Sequence, residues 1–393
     1  KCAVHSLWGF LPYRPRYFCE KITDTFFSLF LRVFPYGDAM TQLKTLLNQL
    51  LSVDFPLIQA PMAGSQDHRL AAAVAQAGGL GSIPSAMLTP DALASQLSNY
   101  RAMTDRPVNV NFFTHTSPTP DEAIDKAWQT LLSPYDDELG IDRTQTIAGA
   151  SRLPFNHAMA DVLDAFKPEV VSFHFGLPAP DLLARVKSWG ALVMSSATTI
   201  EEARWLERNG ADIVIAQGLE AGGHRGHFLG NDVLDISAQM GTFALLPQIM
   251  RAVNVPVVAA GGIADAAGVR AAMSLGAAGV QIGTSFLLCN ESNASPAHRA
   301  ALSSEMATHT CLTNLFTGRP ARSIVNRIMR EMGAINRHVP LFPLATTAIT
   351  PLRAAAEAKG SMDFSPLWAG QNTSGCQAIS ATELTLELAK GFD

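Results

Sequence analysis

The sequence predicts a (β/α)8 barrel, on three observations. Eight short runs rich in Val, Ile and other apolar residues recur along it: PLIQAPM, GLGSIPS, PVNVNFF, VVSFHF, ALVMSS, DIVIAQ, PVVAAG and GVQIGTS. They show little period-two alternation, as strands do when helices cover both faces of a parallel sheet. Amphipathic runs stand between them, among them HRLAAAVAQAG, TIEEARWLERNG and DAAGVRAAMSLG. Each closes on a glycine suited to the left-handed residue that ends a helix. The glycine-rich turns follow the late strands, whereas an open doubly wound sheet carries one dinucleotide fingerprint after its first strand.

In chain order, residues 1–39 differ from the rest. They are aromatic-rich, with an apolar run from Phe26 to Phe34 that is too short to span a bilayer and carries Arg32. No small-residue cleavage site follows it. We expect a non-native or disordered extension there, with the native chain starting at Met40; a membrane or organelle-targeting segment is the alternative. Met40 opens the helix-like stretch MTQLKTLLNQLLSVDFP, which leads into the first strand. The barrel is expected over roughly residues 53–310, within a domain of residues 40–375. Thr199 and Asp265 stand where helix N-caps belong. Residues 114–168, between the third and fourth strands, exceed one crossover helix and read as a helical insertion near the active-site face. Residues 311–375 read as helical and then irregular, and 376–393 as a C-terminal helix or tail.

Composition narrows the function. With 393 residues, 48% hydrophobic and 16% charged, the chain buries a large core. A net charge of −5 without a basic tract argues against nucleic acid. The five cysteines are scattered and form no CxxC pair, which disfavours a disulfide framework or zinc site and fits a reducing cytoplasm. No HExxH, paired-carboxylate or His/Cys/Asp pattern points to a metal.

A barrel builds its active site at the C-terminal ends of its strands. The seventh predicted strand ends in Gly261 and Gly262, the eighth in Gln281, Gly283, Thr284 and Ser285. Glycine turns with hydroxyl donors there suit a phosphate group. The sixth ends in Gln217 with Gly222 and Gly223 beyond, and the first in Ala60, Pro61 and Met62. Small residues at the first strand suit a flat ring over the barrel mouth, and Gln217 and Asn111 offer amides to its edge. A single strand-end Asn or Gln more often makes a structural bond. Six strand ends converging on one mouth favour a flat phosphorylated cofactor.

His174, near the end of VVSFHF, is the imidazole placed to meet a substrate on that cofactor. It can bond an anion or act as a base; a core histidine bonded to a carbonyl is the plain alternative. His115 and His224 either face the ligand or are solvated, and His298, His309 and His338 read as surface or helix residues. Arg319 and Arg322 favour a structural role over contact with an anionic substrate.

The segments PMAGSQDHRLAAAVAQAGGLGSI, VNFF, VVSFHFGLP, GLEAGGHRG, VVAAGGIAD and QIGTSF resemble the class I nitronate monooxygenases, formerly 2-nitropropane dioxygenases. The resemblance runs from about Phe55 to Gly370 and takes in the region around Tyr135, TGRPARSIVNRIMRE and LWAGQ. It implies an FMN-containing barrel that oxidises alkyl nitronates, propionate 3-nitronate above all, with O2. Electrons pass singly to the flavin, and the products are a carbonyl compound with nitrite or nitrate. It further implies FMN binding by Met62, Asn111, Gln217, Gly222, Gly262 and the run Gln281 to Thr284, with His174 in the active site. Partners would be the small-molecule nitronate and O2, with neither membrane nor nucleic acid, in a monomer or homodimer. Where the family often has Tyr, this chain has Phe342 in VPLFPL. Three readings compete. One is an NAD(P)H-dependent flavin reductase of the enoyl-thioester or quinone type. Another is an inosinate-dehydrogenase-like enzyme, which needs a nucleophilic cysteine that only Cys289 approaches. The third is a non-catalytic flavin- or sugar-phosphate-binding barrel.

Overall fold

The computed structural model describes residues 47–143, 152–230 and 232–393. The chain divides into Lys1–Gln42 and Leu43–Asp393. The first unit, and with it the expectation for residues 1–39, lies outside the described residues.

All eight predicted runs are strands. They are β1 (Leu57–Gln59), β2 (Gly81–Pro84), β3 (Val108–Phe113), β4 (Val170–His174), β5 (Leu192–Ala197), β6 (Ile213–Gln217), β8 (Val257–Ala260) and β9 (Gly279–Ile282), with a two-residue β7 (Gly223–His224) between the sixth and seventh. Their order is β1-β9-β8-β6-β5-β4-β3-β2, parallel throughout. The ring closes where Leu80 N–H donates to Leu57 O at 2.8 Å and Gln59 N–H donates to Leu80 O at 2.9 Å.

Alternation is hidden because both faces of each strand are apolar. Ile58, Val170, Met194, Ile213, Ile215 and Val258 fill the barrel interior, where Leu47 and Leu51 join them from the stretch before β1. Their neighbours Leu57, Val214, Val257 and Val280 pack beneath the helices. The helices His68–Gln76, Ile200–Arg208 and Ala266–Ser274 each end two residues before a left-handed glycine: Gly78, Gly210 and Gly276. Thr199 caps the second of them through a reciprocal capping box with Glu202, and Asp265 caps the third.

Between β3 and β4 lie the helices Glu122–Leu139 and His157–Phe166. The first leaves the barrel. Its Trp128, Leu132 and Tyr135 build a separate apolar core with Ile349 and Leu352 of the helix Ala345–Ala358 and with Phe364. One expectation needs correction here. The segment after residue 310 opens not on a helix but on β10 (Thr310–Thr313) and β11 (Ala321–Ile324), an antiparallel pair to which β7 adds a third strand. Four-residue strands, one of them carrying a buried arginine, leave little periodic signal. The last helix, Ala381–Ala389, packs against the helices His68–Gln76 and Ala266–Ser274 and completes the outer layer. No described helix is long and apolar enough to cross a membrane.

Candidate active site

The C-terminal strand ends open into one cleft of about 1420 Å³, counting the space open to solvent at its mouth. The expected site residues line it except Ser285, which is buried and donates to Ala264 O at 3.2 Å. At one end, Gly261 and Gly262 take φ values of 113° and 76° and Gly223 takes 69°, conformations a side chain would strain. They turn the backbone after β8 and β6 toward the space beside Gly283 and Thr284. Gly222 is required by a close approach: a Cβ there would stand 2.6 Å from Gly370 N and 2.7 Å from Ala369 C.

That approach reveals residues the sequence reading missed. Thr284 Oγ1 accepts the Gly370 N–H at 2.9 Å. Asn372 Nδ2 donates to Gly262 O at 2.9 Å, and Gln371 N–H donates to Glu220 O at 2.9 Å. The segment 368–372 thus ties three glycine loops together, and its Trp368, Gly370 and Asn372 line the cleft. LWAGQ stood out only through resemblance, because it carries no chemical pattern of its own.

Nearer the barrel axis, Ala60, Pro61 and Met62 form one wall, with Ala60 Cβ only 3.2 Å from where a Cβ on Gly283 would stand. Asn111 Nδ2 donates to Ser172 Oγ at 2.9 Å. Gln217 is largely spent on the fold: its Oε1 accepts the Gly226 N–H at 2.7 Å and its Nε2 donates to His224 O at 2.9 Å. One amide hydrogen remains for a ligand. Gln281 differs, since its Oε1 is buried without a partner among the described residues. A buried acceptor left so is costly unless a ligand or water donates to it. An orphaned acceptor, glycine turns rich in N–H donors and apolar walls from Met62, Ile215 and Leu287 fit a flat heterocycle with an N–H edge and a phosphate tail.

His174 ends β4 and lines the cleft, half-buried. Phe175 behind it takes φ 75°, a left-handed conformation that costs a non-glycine residue about 1–3 kcal/mol. Arg319, 4.1 Å above the Phe175 ring, and Phe113, 5.0 Å away centroid to centroid, hold it there. His174 Nε2 lies 3.1 Å from His224 O and Nδ1 3.1 Å from Ser196 Oγ. A carbonyl only accepts, so Nε2 carries the proton and Nδ1 accepts from the Ser196 hydroxyl. Burial pushes the His174 pKa down to about 3, with Arg319 and Arg225 adding to the effect against the bond to His224 O. The ring is neutral at physiological pH.

The remaining candidates separate clearly. His224 lines the cleft, its Nε2 3.0 Å from Thr317 Oγ1. His115 is neither solvated nor among the residues lining the cleft; it is buried, packed 4.8 Å from Phe342, with both ring nitrogens unpartnered among the described residues. Phe342 is buried 5.3 Å from the His224 ring and is not among the residues that line the cleft. His298 is a helix residue, buried in Pro296–Leu302, while His309 and His338 are exposed. Arg319 and Arg322 are structural: the first donates to His227 O and the second to Leu219 O at 3.0 Å. The neighbouring Arg225 is fully buried on Gly218 O and Gln217 O. Cys289 is buried, its thiol pushed up to about 12 by burial, which disfavours the thiolate an inosinate-dehydrogenase-like reaction needs.

Comparison with known proteins bears on this site. The family model for nitronate monooxygenase matches residues 44–391. A nitronate monooxygenase of Paraburkholderia phytofirmans is 39% identical over 350 residues, covering 88% of this chain and 94% of the relative. One of Pseudomonas aeruginosa is 40% identical over 345 residues, covering 87% and 97%. Among solved structures, the nitroalkane oxidase of Streptomyces ansochromogenes superposes with a TM-score of 0.79 at 38% identity, covering 88% of this chain and 98% of its own. FabK of Thermotoga maritima is more distant, with a TM-score of 0.65 and 29% identity over 88% and 95% of the two chains. With that extent of similarity and a barrel whose strand ends meet in one cleft, the chain is an oxidoreductase that belongs to the nitronate monooxygenase family.

Proposed function

We propose that this chain is an FMN-dependent enzyme that oxidises alkyl nitronates, propionate 3-nitronate among them, with O2, and that His174 stands at the reaction centre. The observation that carries the choice of substrate is the state of His174. Its ring is neutral, its Nε2–H is given to a carbonyl and its Nδ1 lone pair is occupied by Ser196. A base held so must first lose a hydrogen bond before it removes a proton. A nitronate is already the deprotonated form and needs no such removal, whereas a neutral nitroalkane does.

The cofactor reading rests on the cleft's own residues. Gly222, Gly223, Gly261, Gly262, Gly283 and Thr284 would hold the phosphate. Ala60, Pro61 and Met62 would support the ring, and Asn111, Gln217 and Gln281 would bond its edge. When bound, FMN accepts electrons from the nitronate and passes them to O2. His174 would orient the nitronate by giving its Nε2–H to a nitronate oxygen in place of the His224 carbonyl, which keeps the Gln217 donor, and Phe113 and Trp368, which line the cleft, keep water from its carbon.

The test is to mix the purified yellow protein with propionate 3-nitronate without oxygen and follow visible absorbance. Loss of the oxidised flavin band, restored by air together with release of nitrite, is the expected result. A band indifferent to nitronate but bleached by NAD(P)H would replace this reading with the reductase. Protein without any flavin would leave a phosphate-binding barrel.

A further inference from the structure

Among the described residues lining the cleft, one formal charge stands out. The walls hold no Asp, Glu or Lys, and the two histidines there, His174 and His224, both have pKa values pushed far down by burial. The remaining ionisable group is Arg152, between the helices Glu122–Leu139 and His157–Phe166. It is half-buried, and its Nη1 donates to Thr346 Oγ1 at 3.0 Å. Arg143, in the same insertion, is paired with Asp136. Arg152 has no such partner among the described residues, and the adjoining segment 144–151, TQTIAGAS, contains no acid. The other buried guanidiniums, Arg225, Arg319 and Arg322, are turned onto backbone carbonyls. Among the described residues, most of the Arg152 fork of donors has no partner.

An unpaired, partly desolvated cation is costly unless an anion joins it. Its charge reaches the reaction centre, because it helps depress the pKa of His224, the residue whose carbonyl holds His174. A nitronate places two oxygens on one nitrogen, as a carboxylate does on carbon, and so matches a guanidinium fork.

We propose that Arg152 is a specificity-determining residue that binds the charged O–N–O group of the nitronate and thereby selects the anion over the uncharged nitroalkane. This rests on the nitronate reading above. The two are tested separately by measuring binding as well as turnover.

The experiment compares holoenzyme carrying Arg152→Gln, Arg152→Lys or Thr346→Val with the unaltered protein. Ethyl nitronate and nitroethane serve as probes, their affinities taken by calorimetry without oxygen on holoenzyme whose flavin has first been photoreduced, so that binding is read without electron transfer. Arg152→Gln is expected to weaken ethyl nitronate binding and lower kcat/KM by about 10- to 100-fold, chiefly through KM. Nitroethane affinity should not change, Arg152→Lys should recover part of the loss, and the fall of kcat/KM with added salt should flatten in Arg152→Gln. Unchanged ethyl nitronate affinity in that variant would overturn the proposal. So would loss of flavin in proportion to activity, which would assign the guanidinium to the cofactor phosphate. Full reproduction of the defect by Thr346→Val would reduce Arg152 to a brace between two segments. An unaltered enzyme that binds ethyl nitronate but does not oxidise it would sink the activity and leave the binding comparison to decide Arg152.

Discussion

His174 is held from two sides by groups distant in sequence, Ser196 at 22 positions and the His224 carbonyl at 50. Two bonds on a rigid strand end fix both the tautomer and the ring plane, as a group that orients a substrate requires. His174→Ala should therefore keep its yellow colour and lose turnover; a variant with full nitrite release would remove His174 from the reaction. Ser196→Ala frees Nδ1 without removing the ring. Its kcat with a nitronate should fall less than tenfold, on the order of one neutral hydrogen bond, and any activity toward neutral nitroethane should rise, because the lone pair becomes available as a base. With a His174 pKa near 3, the nitronate rate should show no inflection from this group between about pH 5 and 8. The position of His174 was legible in the sequence, since a histidine after four buried apolar or small residues marks a strand end. Its restraint was not, because neither partner has a sequence signature: one is a serine among several, the other a main-chain oxygen. Arg152 was illegible for a related reason, lying in a segment that reads only as an insertion.

At the scale of elements, the eight barrel strands and their capped helices were legible because local chemistry and tertiary role agree. Runs such as DIVIAQ bury both faces, and Thr199 and Asp265 cap the helices that follow. The strands β10 and β11 and the 368–372 segment were not, since their partners come from elsewhere in the chain. β11 pairs with β7, and Gly370 bonds Thr284 across 86 positions. This tie makes a prediction about Gly222. A methyl group there would push against the main chain of Ala369 and Gly370, neither of which is a flexible side-chain end. Gly222→Ala should displace the 368–372 segment, destabilise the protein by about 1–3 kcal/mol and weaken flavin retention. Equilibrium dialysis of the variant against FMN measures the second effect. Retention equal to the unaltered protein would show that the segment does not support the cofactor end of the cleft.

Over the whole molecule, the unusual feature is the number of histidines kept neutral by burial. His174 is pushed to about 3, His115, His227 and His298 to about 4, and His224 well below its ordinary value. Desolvation leads in every case, and the buried cation Arg319 adds to it at His115, His174, His224 and His227. Each ring is protonated in the unfolded chain below about pH 6.5 but not in the folded one until much lower pH. The unfolded state therefore binds more protons across that window, and stability, fully present above about pH 6.5, falls as pH drops toward 4. Each such histidine removes about 1.4 kcal/mol per pH unit once well below 6.5, so the group acts steeply together. Carboxylates held down by their partners, such as Asp67, act in the same direction but only at lower pH. The holoenzyme should thus lose thermal midpoint markedly between pH 7 and pH 5, before carboxylates begin to titrate. His298, buried and outside the residues that line the cleft, isolates one of these rings, although it is hydrogen-bonded to the main chain of Trp368. His298→Leu should make the pH dependence of the midpoint shallower by one proton's worth. A midpoint flat from pH 7 to pH 5 in the unaltered protein would mean that these rings find solvent or partners before unfolding.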